Sequence, residues 1–225
     1  MKITGIELQR KQKIRRNIFL DGKFAFSISF ELLLKNRLEV GQNLTERKIQ
    51  ELIRADQIKK LIDKALKFLS YRPRSEKEVK DNLTKIRRDL EAKSETDKES
   101  FNSLVEETVK LLKSWKQIDD YEFANWWLTQ RQEHKPKSVR ELEVELLKKG
   151  IKREIIDHVI KKRREEKSEQ FDEKIIAASL ASKRIRSYKN LSEGDFKIKL
   201  GRYLARRGFS WETLKEVIDT TIKKR

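Results

Sequence analysis

The spacing of apolar residues along the chain changes near residue 45. Before that point Phe24, Phe26 and Ile28 stand at every second position, which predicts a strand with one buried face. Asp21-Gly22 precedes this strand and favours a tight hairpin turn, because both residues tolerate positive φ angles. The pattern therefore predicts a β-hairpin.

Two further elements complete the N-terminal segment. Residues 3–8 predict a third strand, and residues 30–35 predict a short helix. A sheet of this size is marginal by itself and needs a helix over its apolar face. We therefore expect residues 1–55 to form a small α+β cap that contains the hairpin.

After residue 45 the apolar residues recur at helical spacing until Pro73 interrupts them. This pattern predicts one long helix from Thr45, with a break near Asp56. Ser75 then begins another helix, since its hydroxyl can accept a hydrogen bond from a free backbone amide. Glu78, three residues later, can reach back to complete a capping box.

Composition extends the helical prediction to the rest of the chain. Of the 225 residues, 36% are hydrophobic and 41% are charged, while Gly (7) and Pro (2) are scarce. So little apolar surface cannot fill one thick core, but it suits small helical units in a row, each of which buries a narrow stripe. We therefore expect a mostly α-helical protein.

The sequence around Pro73 recurs 63 residues further along the chain. RPRSEKEV at 72–79 aligns with KPKSVREL at 135–142, and the Pro, Ser and Glu are identical. A fainter copy of the same helix start begins at Ser192. The dipeptides at 149–150 and 207–208 each pair a basic residue with Gly, which is expected to end a helix in the left-handed conformation.

These repeats predict an elongated tandem array of three three-helix units behind the cap. The expected units are residues 56–118, 119–166 and 167–225, each too small to be stable without its neighbours. Residues 85–100, within the first unit, form an insertion dense in charge. We interpret this insertion as a solvated helix extension or a loop that acts as a spacer.

The formal net charge of +18 indicates a polyanionic partner. The ends are the most basic parts, with +6 in residues 1–55 and +7 in residues 167–225. The chain has no Cys for a disulfide or thiolate site, no signal-peptide pattern and no apolar run that could span a membrane. A soluble cytoplasmic protein is the expectation.

No catalytic constellation stands out in the sequence. His134 and His158 have neither a Cys partner nor the spacing of metal ligands, and Asp119-Asp120 is better explained as a helix cap than as a cation site. A phosphate-cradling Gly loop and an activated nucleophile are also lacking. We therefore expect a binding protein without cofactor or metal, which leaves a nucleic-acid-processing enzyme as a remote alternative.

Three ordered blocks of sequence resemble the RecX family, bacterial regulators of the RecA recombinase. They are ALKFLSYRPRSEKE at 65–78, IDDYEFA at 118–124 and GRYLARRGF at 201–209. The resemblance covers roughly residues 56–222, and residues 1–55 resemble the N-terminal extension of longer family members. The first unit departs from the pattern, because the charged insertion replaces the basic-Gly helix end.

The resemblance implies a slender, curved helical array that lies along the groove of a RecA filament on single-stranded DNA. Such a protein would mainly inhibit filament growth, ATP hydrolysis and strand exchange in recombination, DNA repair and the SOS response. It would act as a monomer, with single-stranded DNA and secondarily double-stranded DNA as partners. The alternative from the residues alone is an autonomous basic DNA-binding or nucleoid-associated helical protein, which the +18 charge favours.

The candidate contacts to RecA or DNA are cations beside the repeated motifs. In the third unit Arg202 and Arg206 are one helical turn apart and share a face, while Tyr203 and Leu204 turn towards the core. The full set of candidates is Arg72, Arg74, Lys135, Lys137, Arg202, Arg206 and Arg207. For the four cations near the two prolines, the alternative of solvated loop charges beside a helix start stays open.

Weaker candidates for DNA contact are Arg15 and Arg16, which precede the hairpin, and Trp126. Adjacent helical residues point about 100° apart, so Trp126 and Trp127 cannot both face one apolar stripe. Aromatic residues at helical spacing are usually core, and we expect Trp115, Trp127 and Trp211 to be buried. A charged loop is an equal alternative for the two arginines.

Overall fold

The structure is a computed structural model that describes residues 1–9, 14–91, 98–166 and 172–223. The described residues form three β-strands followed by ten α-helices, so the mostly helical prediction is confirmed. The chain divides into two compact units, one made of residues 1–72 and 79–117 and the other of residues 73–78 and 118–225.

The first unit begins with a three-stranded antiparallel sheet in the order β1-β2-β3. The strands are β1 (Ile3–Leu8), β2 (Arg15–Leu20) and β3 (Lys23–Ser29). Asp21 and Gly22 connect β2 to β3 with φ angles of 48° and 81°. Two positive φ angles at the central residues match the twist of a hairpin, and the predicted hairpin is confirmed.

Two helices follow the sheet, α1 (Phe30–Lys35) and α2 (Glu46–Leu69). Leu33 of α1 and Leu52 of α2 are buried in one core with the sheet, so the small sheet has the helical cover that it needs. The predicted break near Asp56 is wrong, since α2 continues through this residue. The Asp56 carboxylate is buried against the guanidinium of Arg15, so it has a partner without any break in the helix.

The remaining helices of the first unit are α3 (Glu76–Glu91), whose first turn belongs to the second unit, and α4 (Lys98–Ser114). The predicted insertion therefore contains the end of α3 and the start of α4, and its residues 92–97 lie outside the described residues. Trp115 is 50% exposed, so its predicted burial is wrong. The backbone turns out of α4 at Lys116, whose φ is 55°, and Trp115 follows the last buried turn.

The second unit contains two sets of three helices, here called repeat 2 and repeat 3. Repeat 2 comprises α5 (Asp120–His134), α6 (Val139–Lys148) and α7 (Arg153–Glu165). Repeat 3 comprises α8 (Glu173–Ile185), α9 (Glu193–Ala205) and α10 (Trp211–Lys223). Each repeat has its own cluster of buried apolar side chains, as expected of three-helix units.

Short polar side chains begin these helices. The Asp119 carboxylate accepts hydrogen bonds from the amides of Tyr121 and Glu122, which confirms that Asp119 caps α5. Ser192 likewise accepts a bond from the Asp195 amide, as its resemblance to the earlier caps predicted.

Two tryptophans of the second unit differ in burial. Trp127 is half-buried and packs against the repeat 2 core. Trp211 is 76% exposed, which makes the prediction of burial wrong. It is the first residue of α10, where Ser210 caps the helix through the Thr213 amide, and the apolar face begins only after it, at Leu214.

Candidate functional site

Ser75 and Ser138 each contact the basic-Gly turn of a later repeat. The Ser75 hydroxyl accepts a bond from the Glu78 amide at 3.2 Å and donates one to the Lys149 carbonyl at 2.7 Å. Gly150, next to Lys149, has a φ of +81°, and a Cβ there would lie 2.6 Å from the Cβ of Lys77. Only glycine fits this approach without a shift.

Ser138 makes the corresponding contacts with repeat 3. Its hydroxyl accepts a bond from the Glu141 amide at 3.2 Å, and its amide donates to the Arg207 carbonyl at 3.0 Å. Gly208 has a φ of +82°, and an added Cβ would lie 2.6 Å from the Ser138 hydroxyl oxygen. The left-handed helix ends predicted at Gly150 and Gly208 are therefore confirmed, and both meet a serine-capped helix start.

These two contacts, each between a serine-capped helix start and a basic-Gly helix end, are here called joints. A carboxylate strengthens each of them. The Glu76 amide donates to Asp120 at 2.8 Å, and the Val139 amide donates to Glu173 at the same distance. Asp120 and Glu173 are the first residues of α5 and α8, so they occupy equivalent places in successive repeats. Sequence reasoning missed both roles, because a helix-start carboxylate is ordinarily assigned to its own helix.

A capping box was predicted at Ser75, and its counterpart at Ser138 is only half present. The serine hydroxyl caps the helix, but the serine amide binds Arg207 rather than the Glu141 side chain. The Glu141 carboxylate instead accepts a bond from Lys137 at 3.1 Å. At the other copy, the Glu78 carboxylate pairs with Lys149. The repeated signature thus builds a joint as well as a helix start.

Lys137 belongs to an ion network inside repeat 2. Besides Glu141 it binds Glu145 at 2.7 Å, and Glu145 also accepts bonds from Arg131 at 2.6 Å and from the indole of Trp127 at 2.9 Å. Burial raises the pKa of Glu145, but these bonds outweigh it and hold the pKa below the ordinary value of 4.5. Burial lowers the pKa of Lys137, whereas its two glutamates raise it above the ordinary value of 10.5.

The other cations beside the two prolines differ in exposure. Lys135 is exposed at the end of α5, where its amide donates to the Arg131 carbonyl. Arg72 and Arg74 are half-buried and have contacts within the protein. Of the four predicted positions, Lys135 is the exposed one, and the charge of Lys137 is compensated by two glutamates.

Arg202 and Arg206, here called the α9 cations, are exposed in repeat 3. Within the described part of the chain, no carboxylate pairs with either guanidinium. Tyr203 and Leu204 are buried, which confirms that the side of α9 that carries these two residues faces the core. The α9 cations therefore present free guanidinium groups to solvent, suited to bind phosphate or carboxylate oxygens.

Arg207 and Arg184 both pack on the ring of Tyr203, and these three residues are here called the Tyr203 cluster. Their guanidinium carbons lie 4.0 and 4.5 Å from the ring centre, within the range of cation–π contacts. Arg184 belongs to α8 and was missed in the sequence, because no repeated motif surrounds it. The ring thus gathers cations from the ends of two helices beside the α9 cations.

The weaker candidates have contacts of their own. Arg15 is buried, and its guanidinium forms a two-pronged pair with Asp56 at 2.7 and 3.1 Å, so the charge is compensated inside the cap. Arg16 is half-buried and lies 4.6 Å over the Phe30 ring. Trp126 packs against the repeat 2 core, with its ring 5.9 Å from that of Phe123.

The described residues contain neither a metal site nor a membrane-spanning helix. Across the residues that the structure describes, no group of three or more histidine, aspartate or glutamate side chains is arranged to hold a metal ion. In the same residues, no helix has both the length and the apolar character required to cross a membrane.

Four domain families match the chain in order. Residues 1–45 match the regulatory protein RecX N-terminal domain, and residues 62–86 match the first three-helix domain of RecX. Residues 119–160 and 172–218 match the second and third three-helix domains. The last two matches coincide with repeats 2 and 3, whose joints are described above.

Several curated proteins named regulatory protein RecX are similar to the chain. One from Listeria monocytogenes serotype 4b is 41% identical over 160 residues, which span 71% of this chain and 55% of that protein. One from Bacillus licheniformis is 34% identical over 97% of this chain and 77% of its own length. One from Clostridium beijerinckii is 31% identical over 96% and 94% of the two chains.

Two solved structures of RecX proteins are also similar to the chain. A crystal structure of regulatory protein RecX superposes with a TM-score of 0.68 at 30% identity, covering 97% of this chain and 98% of that chain. RecX from Lactobacillus salivarius has a TM-score of 0.56 at 23% identity over 74% of this chain, which supports the fold. With the four ordered domain matches and relatives over nearly its whole length, the chain belongs to the RecX family of regulatory proteins.

Proposed function

We propose that this protein binds the RecA filament on single-stranded DNA and restrains filament growth, ATP hydrolysis and strand exchange. It would act in the cytoplasm as a monomer without catalytic activity or cofactor. Family membership supports a regulatory role, and the resemblance of its motifs to the RecX family points to RecA as the protein partner. The proposed activity would belong to recombinational DNA repair and the SOS response.

The proposal rests on the exposed arginines of repeat 3 that have no carboxylate partner among the described residues. The α9 cations are exposed and have no carboxylate partner among the described residues, while Arg207 and Arg184 stack on Tyr203 beside them. A planar guanidinium recognises phosphate and carboxylate through paired N–H donors, so this surface can bind DNA or an acidic surface of RecA.

The other cations have smaller parts in this proposal. Lys135 is exposed and adds a contact beside Pro136, and Arg72, Arg74 and Arg16 remain secondary candidates. Lys137 and Arg15 hold helices and strands together through buried or half-buried carboxylates, so we assign them no contact with the filament. Single-stranded DNA is the proposed nucleic-acid target, with double-stranded DNA as a second target and Trp126 as a lesser contact.

The test is inhibition of RecA by the double variant Arg202→Ala/Arg206→Ala. Filament-dependent ATP hydrolysis and strand exchange are measured as the protein is titrated against RecA on single-stranded DNA. Wild-type protein is expected to inhibit both, and the double variant is expected to need roughly tenfold more protein, because two free contacts are lost. Circular dichroism checks that the variant is folded.

A matched control removes two cations elsewhere. Lys161→Ala/Arg164→Ala deletes the same charge from one exposed face of α7 in repeat 2 and is expected to inhibit like the wild type. If the wild-type protein leaves RecA activity unchanged, the proposed function is wrong. If both double variants lose inhibition equally, net charge rather than the α9 cations is responsible.

The second candidate is an autonomous DNA-binding or nucleoid-associated protein, favoured by the net charge of +18. This function predicts tight binding to naked DNA whose affinity falls steeply with salt, together with no effect on RecA. The RecA-regulator function predicts that single-stranded DNA coated with RecA is preferred over the same DNA without it. Fluorescence anisotropy with labelled DNA, with and without RecA, separates the two.

A further inference from the structure

A groove in the first compact unit contains none of the cations that are proposed to bind the RecA filament. Its volume is about 850 Å³. Ile14, which directly precedes β2, and Phe30 of α1 line one side of the groove, and Lys60, Lys64 and Lys67 line the groove from α2. Clefts of this volume are typical of ligand sites, which are mostly apolar with a few placed charges.

Two large apolar side chains are exposed in this groove. Ile14 is 77% exposed and Phe30 is 43% exposed, although both residues belong to a unit with a well-formed core. Leu61, on the α2 side, is buried beneath them. Apolar side chains that are exposed together in a concave surface indicate an interaction site more strongly than scattered ones.

The lysines form a row along α2. Lys60, Lys64 and Lys67 follow one another at spacings of four and three residues, which places them on one face of the helix. Lys60 is paired with the Asp56 carboxylate at 2.9 Å. Lys64 and Lys67 have no carboxylate partner in the part of the chain that the structure describes, so their charges are available to a ligand.

The strand edge in the groove is already occupied. The Arg15 guanidinium donates to the Ser27 carbonyl at 2.8 Å, and the Ser29 amide donates to Asp56 at 2.9 Å. These bonds satisfy backbone groups of β3 that would otherwise pair with an added strand. A ligand would therefore be held by the exposed side chains rather than by strand addition.

We propose that this groove binds an acidic peptide segment of a partner protein, with carboxylates at Lys64 and Lys67 and apolar anchors against Ile14 and Phe30. The carboxylates of Glu31 and Asp63 also line the groove, but both are paired with Lys59. A chain of phosphates would leave Ile14 and Phe30 exposed to water, whereas a peptide can cover them with apolar side chains while its acidic residues meet the lysines. The proposal does not depend on RecA binding.

The test uses the whole protein and a fluorescein-labelled synthetic peptide of alternating glutamate and leucine with a phenylalanine. Anisotropy is expected to show saturable binding at low salt that weakens as salt is raised. Lys64→Glu/Lys67→Glu is expected to weaken binding roughly tenfold or more, because two attractions become repulsions. Ile14→Ser, at an exposed position that leaves the fold intact, is expected to weaken it several-fold.

Two controls make the result specific. Lys35→Glu/Lys110→Glu makes the same charge change at exposed positions of this unit outside the groove, and it is expected to bind the peptide like the wild type. A peptide with glutamine in place of glutamate is expected to lose binding. The proposal is overturned if the acidic peptide does not bind, if both double variants weaken binding equally, or if oligothymidylate displaces the peptide from the groove.

Discussion

The backbone carbonyl of Arg207 accepts a hydrogen bond from the amide of Ser138, 3.0 Å away. The end of the second helix of repeat 3 is thereby attached to the start of the second helix of repeat 2. Gly208 makes this approach possible, because a side chain at its place would collide with Ser138. The same relationship, made through the hydroxyl, joins Ser75 to Lys149 beside Gly150.

Replacement of Gly208 by Ala is expected to destabilise the second unit by about 1–3 kcal/mol, the range for a non-glycine residue in a strained backbone conformation. The added Cβ would also lie 2.6 Å from the Ser138 hydroxyl oxygen, which forces the joint to shift. Urea denaturation followed by circular dichroism measures the change. Gly194→Ala is the control, since Gly194 lies in α9 with nothing closer than 4.0 Å, and this change should stabilise by up to about 1 kcal/mol.

Removal of the Asp56 charge is expected to destabilise the first unit by about 3–5 kcal/mol, as found when one partner of a buried ion pair is lost. Asp56→Asn would leave the buried guanidinium of Arg15 without its counter-charge. Thermal unfolding measures the effect. Asp63→Asn breaks an exposed pair with Lys59 and should change stability by less than about 1 kcal/mol. Equal effects of the two variants would contradict a structural role for the buried pair.

Stability of the second unit is expected to depend on the ionisation of Glu145. The pKa of Glu145 is lower in the folded protein than its ordinary value of 4.5, so the unfolded chain binds the proton more tightly. The contribution is fully present above pH 4.5 and is lost as the pH falls through the folded pKa. Unfolding free energies measured from neutral to acidic pH should fall less steeply in Glu145→Gln than in the wild type. Glu133→Gln, at an exposed position, should follow the wild-type curve.

Arg184 is expected to contribute to nucleic-acid binding although no motif marks it. Arg184→Gln should weaken binding to single-stranded DNA and reduce the slope of log affinity against log salt by about 0.7, the value for one lost phosphate contact. Arg140→Gln, an exposed arginine of α6, is the control and should leave the slope unchanged. An unchanged slope in Arg184→Gln would assign this arginine to the packing of Tyr203 alone.

Local patterns in the sequence were enough to predict the helices, the hairpin and the caps. Asp21-Gly22 specifies a turn through its own φ preferences, and Gly150 and Gly208 end helices for the same kind of reason. The break predicted near Asp56 does not occur in α2. The sequence did not reveal that the Asp56 carboxylate would be paired inside the fold, because its partner, Arg15, lies 41 positions earlier in the chain.

The candidate site was predicted less completely. The exposure of the α9 cations could be expected from helical spacing, since Tyr203 and Leu204 fix which side of α9 is buried. The pairing of Lys137 with Glu145 and the stacking of Arg184 on Tyr203 depend on how helices pack within a repeat. Trp115 and Trp211 show the same limit, because both lie beside helix ends, where periodicity no longer indicates which side is covered.

Both joints described in the second unit are made from two complementary halves, a serine-capped helix start and a basic-Gly helix end. Repeat 2 carries both, with Ser138 on one side and Gly150 on the other, and repeat 3 carries both, with Ser192 and Gly208. A chain organised in this way can lengthen by duplication of a repeat, because the helix start and the helix end of a new copy would each find their complementary half on a neighbouring repeat. Variation in repeat number within such a lineage would require no new interface to evolve.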